Sequence, residues 1–313
     1  MAIDILTTGA AGIAPGVRQS YDRVLLNMLV PELKHAQFFD TRPIPLHEGD
    51  TINFRLPSRI LPITTPLVEG VTPNANTYSD TPVQIQVQQY GDYIAFSDKV
   101  TWLMIDPVVS QIVKRQGVQA GETVDVLSRD VMHVGANVMY PLAGGHASRI
   151  TVNNTDKITA ADIKRWNKLL QKNFSKGRMG AAYVAIISPD TEADIMGLPE
   201  WLQAKQYSDV ADLYRGYVGT LYNIHFVTSP LAKIFVGAGA AGVDVQSTVI
   251  FGQDAFLATE VSGHSIETIS QPLGSGGTAD PLNQRSTQGW KTTWGGKIAN
   301  DYNVLRFESY ATP

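Results

Sequence analysis

Residues 233–247, "KIFVGAGAAGVDVQS", set three glycines, Gly237, Gly239 and Gly242, in G-x-G-x-x-G spacing behind the apolar triplet Ile234-Phe235-Val236. That spacing can bind a dinucleotide. The glycines let backbone amides approach a pyrophosphate, and a helix starting there aims its N-terminus at the charge. The chemistry requires the helix, but the sequel "VDVQSTVIFG" is β-branched and alternating, which predicts a strand. Glu260 lies near the distance of a ribose-binding acid, a loose match on its own. The three glycines therefore read as a flexible hinge between two strands.

Other reactive patterns are equally thin. "GSGGTADP" (274–281) lacks the Lys-Ser/Thr pair of a phosphate loop. His35, His47, His133, His146, His225 and His264 are scattered, with no second ligand at i+2 or i+4, so no metal is expected. The absence of cysteine removes thiolate catalysis, disulfides and Cys-based metal sites together. Ser188 precedes Pro189 outside any nucleophile elbow and reads as a helix cap. Asp125 and Asp130 are five apart on a helix and do not share a face. Arg165-Trp166 and Trp290-Lys291 read as solvated rims of core aromatics rather than cation–π pairs. No catalytic residue, cofactor or metal is assigned, and no enzyme is expected.

The elements that would position any site point elsewhere. The 313 residues suggest about two domains. They are 43% apolar and 17% charged, below the roughly 25% charge of an average protein. A net charge of −4 gives no basic surface for nucleic acid, and apolar runs such as "AAYVAII" are far short of a membrane span. "MAIDILTTGAAGIAPG" lacks the basic start and apolar core of a secretory signal.

Residues 19–33 have the spacing of a short helix ending at Pro31. Residues 50–59 and 83–98 alternate as strands, with Ile52, Phe54 and Leu56 on one face of the first and Val83, Ile85 and Val87 on one face of the second. About 25 residues rich in proline and threonine join them, a loop too long to be idle. Such a hairpin arm cannot bury its apolar face alone. Phe54, Val83, Ile85, Val87 and Tyr90 are therefore the expected assembly interface. After Asp106-Pro107 a spine helix over about 107–139 is predicted, its stripe running through Val109, Val113, Ala120, Val124, Leu127, Val131, Val134 and Val138. Gln116 is the one polar residue in that series, and Gly117 and Gly121 would bend the helix or permit close packing. A second helix starts at Thr159 in the box "TAAD", with Ile163, Trp166 and Leu170 inward. Strands are expected near 181–187, 222–229, 233–237, 247–252 and 303–310.

Taken together, "PLVEGVTPNANTYS", "VQQYGDYIAFSD", "IDPVV", "QAGETVDVLSRDVM" and "GANVMY" form a nearly continuous block. Later come "SPDTEADIMGLPEWL", "YVGTLYNIHFVTS", "VIFGQDAF" and "PLNQRSTQGWKTTWGGKIAN", so the block and its echoes span most of residues 20–308. The chain resembles the major capsid proteins of tailed bacteriophages, and more narrowly the coat-protein family typified by coliphage N-four. The resemblance implies an α+β, Hong Kong 97-like fold. It implies an N-terminal arm (1–49), an extended loop (50–98), a peripheral domain (99–181), an axial domain (182–262) and a return to the peripheral domain (263–313). It further implies hexamers and pentamers of the same chain, assembled in the host cytoplasm into the virion capsid around double-stranded DNA without sequence-specific binding. The implied partners are a portal, a separate scaffolding protein and a decoration protein, with no membrane. An encapsulin-type nanocompartment shell and, remotely, a nucleotide-dependent enzyme using Gly237–Gly242 stay open.

Overall fold

The computed structural model describes residues 34–103, 108–208, 219–264, 266–277 and 280–313. The helix expected over 19–33 and the Asp106-Pro107 start of the spine helix lie outside them. A 3-10 turn (Ala36–Phe38) leads into β1 (Asp40–Thr41), β2 (Thr51–Pro57), β3 (Asp80–Gln86) and β4 (Gln88–Ser97). The short α1 (Asp98–Leu103) precedes the spine helix α2 (Val108–Met132). Then come β5 (Val138–Met139), α3 (Ala160–Lys172), β6 (Tyr183–Ile187), α4 (Pro189–Met196) and α5 (Pro199–Ser208). Apart from 3-10 turns at Ala240–Gly242 and Asp301–Asn303, the remaining elements among the described residues are strands: β7 (Thr220–Leu221), β8 (Ile224–Thr228), β9 (Ile234–Phe235), β10 (Val245–Phe251), β11 (Phe256–Thr259), β12 (Ile266–Gln271), β13 (Arg285–Ile298) and β14 (Val304–Ser309).

Strand β13 organises one sheet. Residues 285–294 pair with β4, residues 287–292 with β12, and residues 295–298 with β11, all antiparallel; β1 lies parallel on β11. A seven-stranded sheet runs β5-β14-β10-β6-β8-β7, with β9 also on β10. Strands β6 and β10 are buried at every residue, covered on both faces, although β10 carries Gln246, Ser247 and Thr248 inside as well. One face carries α3, α4 and α5 through Trp166, Ile195 and Trp201. Thr159 caps α3 in a full capping box with Asp162, and Ser188 caps α4 ahead of Pro189, both as the sequence indicates. On the other face Phe251, Val249 and Ile186 meet Phe38, Phe39, Met132 and Phe256.

These cores redraw the expected domain limits. Strand β4 belongs to the β13 sheet, so the projecting hairpin is β2–β3 alone, not residues 50–98. Helix α3 and strand β14 share the core of the seven-stranded sheet, whereas β11 joins β13. Neither 181/182 nor 262/263 therefore separates two cores.

Helix α2 stops at Met132, seven residues before the expected 139. Arg306 caps the carbonyl of His133 with its guanidinium, and its backbone N–H reaches Asn137 O at 2.9 Å, drawing Val138 and Met139 into parallel pairing with β14. The buried stripe differs in its second half. Val113, Gln116 and Ala120 lie on it as read, but it continues through Asp125, Ser128 and Met132, while Val134 is exposed. Gln116 donates to the carbonyl of Gln288 at 2.7 Å, fastening the helix to β13. A buried polar side chain survives because its partner is waiting.

Asp125 shows the same rule. Fully buried, it accepts from the backbone N–H of His35 at 2.6 Å and sits 2.5 Å from His35 Nδ1. Residues 34–44 are thus a seated root, not a free arm. His133, also buried, contacts Arg129 O through Nδ1 at 2.6 Å. Burial pushes its imidazole down to about 4, with His35, Arg306 and Arg129 adding like charge. Between pH 6.5 and 4 the unfolded chain binds a proton that the folded chain refuses, so stability is full above pH 6.5 and falls as pH drops through that window. His133 should account for about 3 kcal/mol of that loss. Thermal melts against pH should fall less steeply for His133→Gln than for the parent chain; parallel curves would refute the assignment.

Candidate assembly surface

Pairing in the β2–β3 hairpin runs from Thr51↔Gln86 to Pro57↔Asp80, and Ser58 N–H still reaches Ser79 O at 3.2 Å. Beyond it, residues 60–78 leave the ladder and expose Ile60, Leu61, Ile63, Leu67, Val68, Val71 and Tyr78, with Leu67 as much as 76% exposed. Pro62, Pro66 and Pro73 remove amide donors there. An isolated chain gains nothing from an apolar run held in water. Contiguous exposed apolar surface of this kind marks an interaction site.

The residues expected at the interface divide. Val83 (7% exposed) and Ile85 (3%) are buried in their own subunit and drop out as contacts for a neighbour. The alternation is as read, but the cover comes from the same chain, with β13 against Ile85. A Cβ on Gly295 would stand 2.5 Å from the carbonyl oxygen of Gln86 and 3.2 Å from Ile85 Cγ2, so only glycine admits the hairpin root here. Lys297 Nζ adds a 3.4 Å bond to Gln84 O. Phe54, paired with Val83, is half-buried, with the guanidinium of Arg42 5.7 Å from its ring centroid. Val87 and Tyr90 are also half-buried; Val87 N–H donates to Asp50 O at 2.9 Å and Tyr90 OH to Gln88 Oε1 at 3.0 Å.

At the mouth of the hairpin, Arg59 stacks its guanidinium 4.0 Å from the ring centroid of Phe174. Phe174 follows α3 with φ +56° and is 70% exposed. Its N–H bonds to Gln171 O and that of Ser175 to Leu170 O, at 3.1 and 3.0 Å, the helix-ending motif in which glycine normally occupies this position. A left-handed phenylalanine costs roughly 1–2 kcal/mol, and an exposed cation–π contact returns about 0.5–1 kcal/mol. Within the isolated subunit the pair does not stabilise the fold.

The glycine loop is a fastened turn between β9 and β10. Gly237 (φ +62°) and Gly242 (φ +78°) take left-handed backbone, and a Cβ on Gly239 would meet Val152 O at 2.8 Å. Its amides are committed: Gly237 to Asp244 Oδ1, Gly239 to Val243 O, Ala240 to Val152 O and Gly242 to Gly239 O. A pyrophosphate would find no free N–H cradle there, and a strand follows instead of a helix. These bonds argue against the flexible hinge expected of Gly237, Gly239 and Gly242.

Sequence reasoning missed the buried ion pairs. Glu308, fully buried, takes two bonds from Arg149 at 2.8 and 2.6 Å and lies 3.0 Å from Arg306 Nε, while Arg149 also stacks on Phe235 at 3.3 Å. His146 Nε2 lies 2.7 Å from Asp156 and His264 pairs with Glu267, so these histidines serve local contacts. Among the described residues no group of three or more His, Asp or Glu is arranged for a metal, and no helix is long and apolar enough to cross a membrane. Only the spacing in "VLRFES", which sets Arg306 and Glu308 two apart on one face of a strand, hinted at the pair.

A family model described as phage capsid protein matches residues 80–304. No curated protein sequence matches. Among solved structures, the cyanophage Pam1 capsid is similar with a TM-score of 0.69 at 16% identity, over 91% of this chain and 92% of that one. The capsid of Ralstonia phage GP4 gives 0.68 at 14%, over 90% and 89%, and that of cyanophage P-SCSP1u gives 0.67 at 13%, over 88% and 87%. The fold they share with this chain is the Hong Kong 97-like one.

Gly295→Ala should lift the hairpin root off β13 and cost about 1–3 kcal/mol, as overpacking does. A lowered melting midpoint with faster hydrogen exchange in residues 80–86 is expected; unchanged exchange there would show that the seat is not tight.

Proposed function

The chain belongs to the phage capsid protein family, and from that premise we propose that its β2–β3 hairpin is the brace between neighbouring copies in an icosahedral shell. The protein is a major capsid protein, a structural component of the virion. The observation that carries the brace is the apolar run of residues 60–78, exposed in the subunit although the root of the same hairpin is buried. A neighbour's body supplies the missing cover. A head-to-tail contact of this sort closes into rings, here hexamers and pentamers.

Several roles follow on this reading. The seven-stranded sheet, with α3–α5, forms the axial part of each ring, and β13 with the spine helix forms the peripheral part. The shell encloses double-stranded DNA without reading sequence, in keeping with a net charge of −4. Portal, scaffolding and decoration proteins are its partners, and assembly precedes packaging in the host cytoplasm. No enzymatic step is assigned. An encapsulin-type shell shares the architecture but would hold protein cargo; nucleic acid in purified particles separates the two.

Replacing residues 60–78 by two glycines is expected to leave a soluble, folded subunit, because only exposed chain is removed. Closed particles should disappear from negative-stain electron micrographs at concentrations where the parent chain forms them. Normal shells from this variant would remove the hairpin as the brace.

A further inference from the structure

We propose that Phe174 is a positioning residue for assembly: a rigid aromatic post that holds Arg59 and so fixes the direction in which the hairpin leaves the subunit. This rests on the hairpin being the intersubunit brace.

The post is built to be stiff. Asn173 donates to Tyr302 O at 3.0 Å, and the hydroxyl of Tyr183 to Ser175 O at 2.9 Å. Gln253 N–H reaches Lys176 O at 2.8 Å, and at Gly252 a Cβ would collide with Ser175 Oγ and Lys176 O at 2.2 and 2.5 Å. Two residues on, Arg178 grips Asp40 through both guanidinium arms at 2.9 Å. The loop carrying Phe174 is therefore tied to β6, to β1, to the turn between β10 and β11 and to the turn between β13 and β14.

The moving part is the opposite. Past Ser58–Ser79 the chain has little of its own to hold it: a turn bond from Val71 N–H to Val68 O, one from Thr77 N–H to Asn76 Oδ1, and a side-chain bond between Tyr78 and Asp80 near its base. Arg59 is the first residue beyond the ladder. A contact there sets the angle of everything distal to it, since a small rotation at the mouth sweeps the tip widely. The backbone strain at Phe174 at least cancels what the cation–π contact returns, so fold stability gives no reason for phenylalanine where glycine would sit unstrained. A ring that must be presented at that point does. Preorganising a binding segment lessens the ordering cost on association, and a neighbour then meets a hairpin already aimed.

Four variants of the full chain test this: Phe174→Gly, Phe174→Trp, Arg59→Ala and the 60–78 glycine replacement. Below assembling concentrations, Phe174→Gly should melt at the parent temperature or roughly 2 °C higher, the strain being relieved. Trypsin should cut after Arg59 roughly two- to fivefold faster in it, the factor a lost cation–π contact releases. At assembling concentrations Phe174→Gly and Arg59→Ala should yield several-fold fewer closed particles by sedimentation and microscopy, and Phe174→Trp should restore the parent yield. A Phe174→Gly chain that melts lower and assembles normally would overturn the proposal, as would parent-like yield from Arg59→Ala, which decides the matter alone if the glycine variant does not fold. If the 60–78 replacement blocks assembly while Phe174→Gly and Arg59→Ala do not, only the aiming role fails. If that replacement also forms shells, the brace itself fails.

Discussion

The close approach at Gly295 governs the outward half of this molecule. Strand β13 must pair with β11 there while the root of the hairpin lies across it, and the two backbones come nearer than any side chain allows. Because the root is held, Ile85 and Val83 are spent on the subunit's own core, and what projects is a segment with nothing beneath it. The same strand carries β4 and β12 and receives Gln116 of the spine helix. One strand thus fixes the sheet, the helix and the base of the arm in a single frame.

Buried charge supplies the remaining fastening. A lone buried carboxylate is costly, but one that is paired and fully hydrogen-bonded locks distant segments together. Glu308 joins the C-terminal strand to the turn at Arg149, and that turn in turn receives the glycine loop through Val152. Asp125 joins the spine helix to the root at His35. Bidentate arginine geometry at Glu308 and at Asp40 adds direction as well as energy. These locks are all inside the body; the hairpin beyond Ser58 has none.

That asymmetry suits a building block. A shell subunit has to keep its body constant from site to site while its contacts accept slightly different angles around rings of different order. A rigid core with a sparsely tethered apolar strap meets both needs, and on the proposed reading a second copy supplies the strap's cover. The low fraction of charged residues fits a surface of which much becomes interior on assembly.

Periodicity, capping and turn chemistry settled much of the local structure from the sequence alone. Thr159 and Ser188 cap where their spacing says, β6 is the buried run it looks like, β10 is the strand its β-branched pattern predicts, and the alternation of residues 83–87 puts Val83 and Ile85 on one covered face. The failure of the G-x-G-x-x-G loop as a nucleotide site was also legible, since a strand and not a helix follows it. Tertiary structure alone decided who covers whom. Alternation shows that a face is buried and is silent about the partner, so it offers a neighbour as cover for Val83 and Ile85 where the subunit itself supplies that cover. Periodicity carried Gln116 onto the stripe without naming its partner and left Asp125 and Ser128 off it, yet burial followed the availability of Gln288 O, of His35 and of the helix's own carbonyl at Val124. Helix α2 ended early because β14 captured the next residues, a competition between distant segments. Phe174 gave no signal at all, since its left-handed backbone and its arginine are set by parts of the chain more than a hundred residues apart.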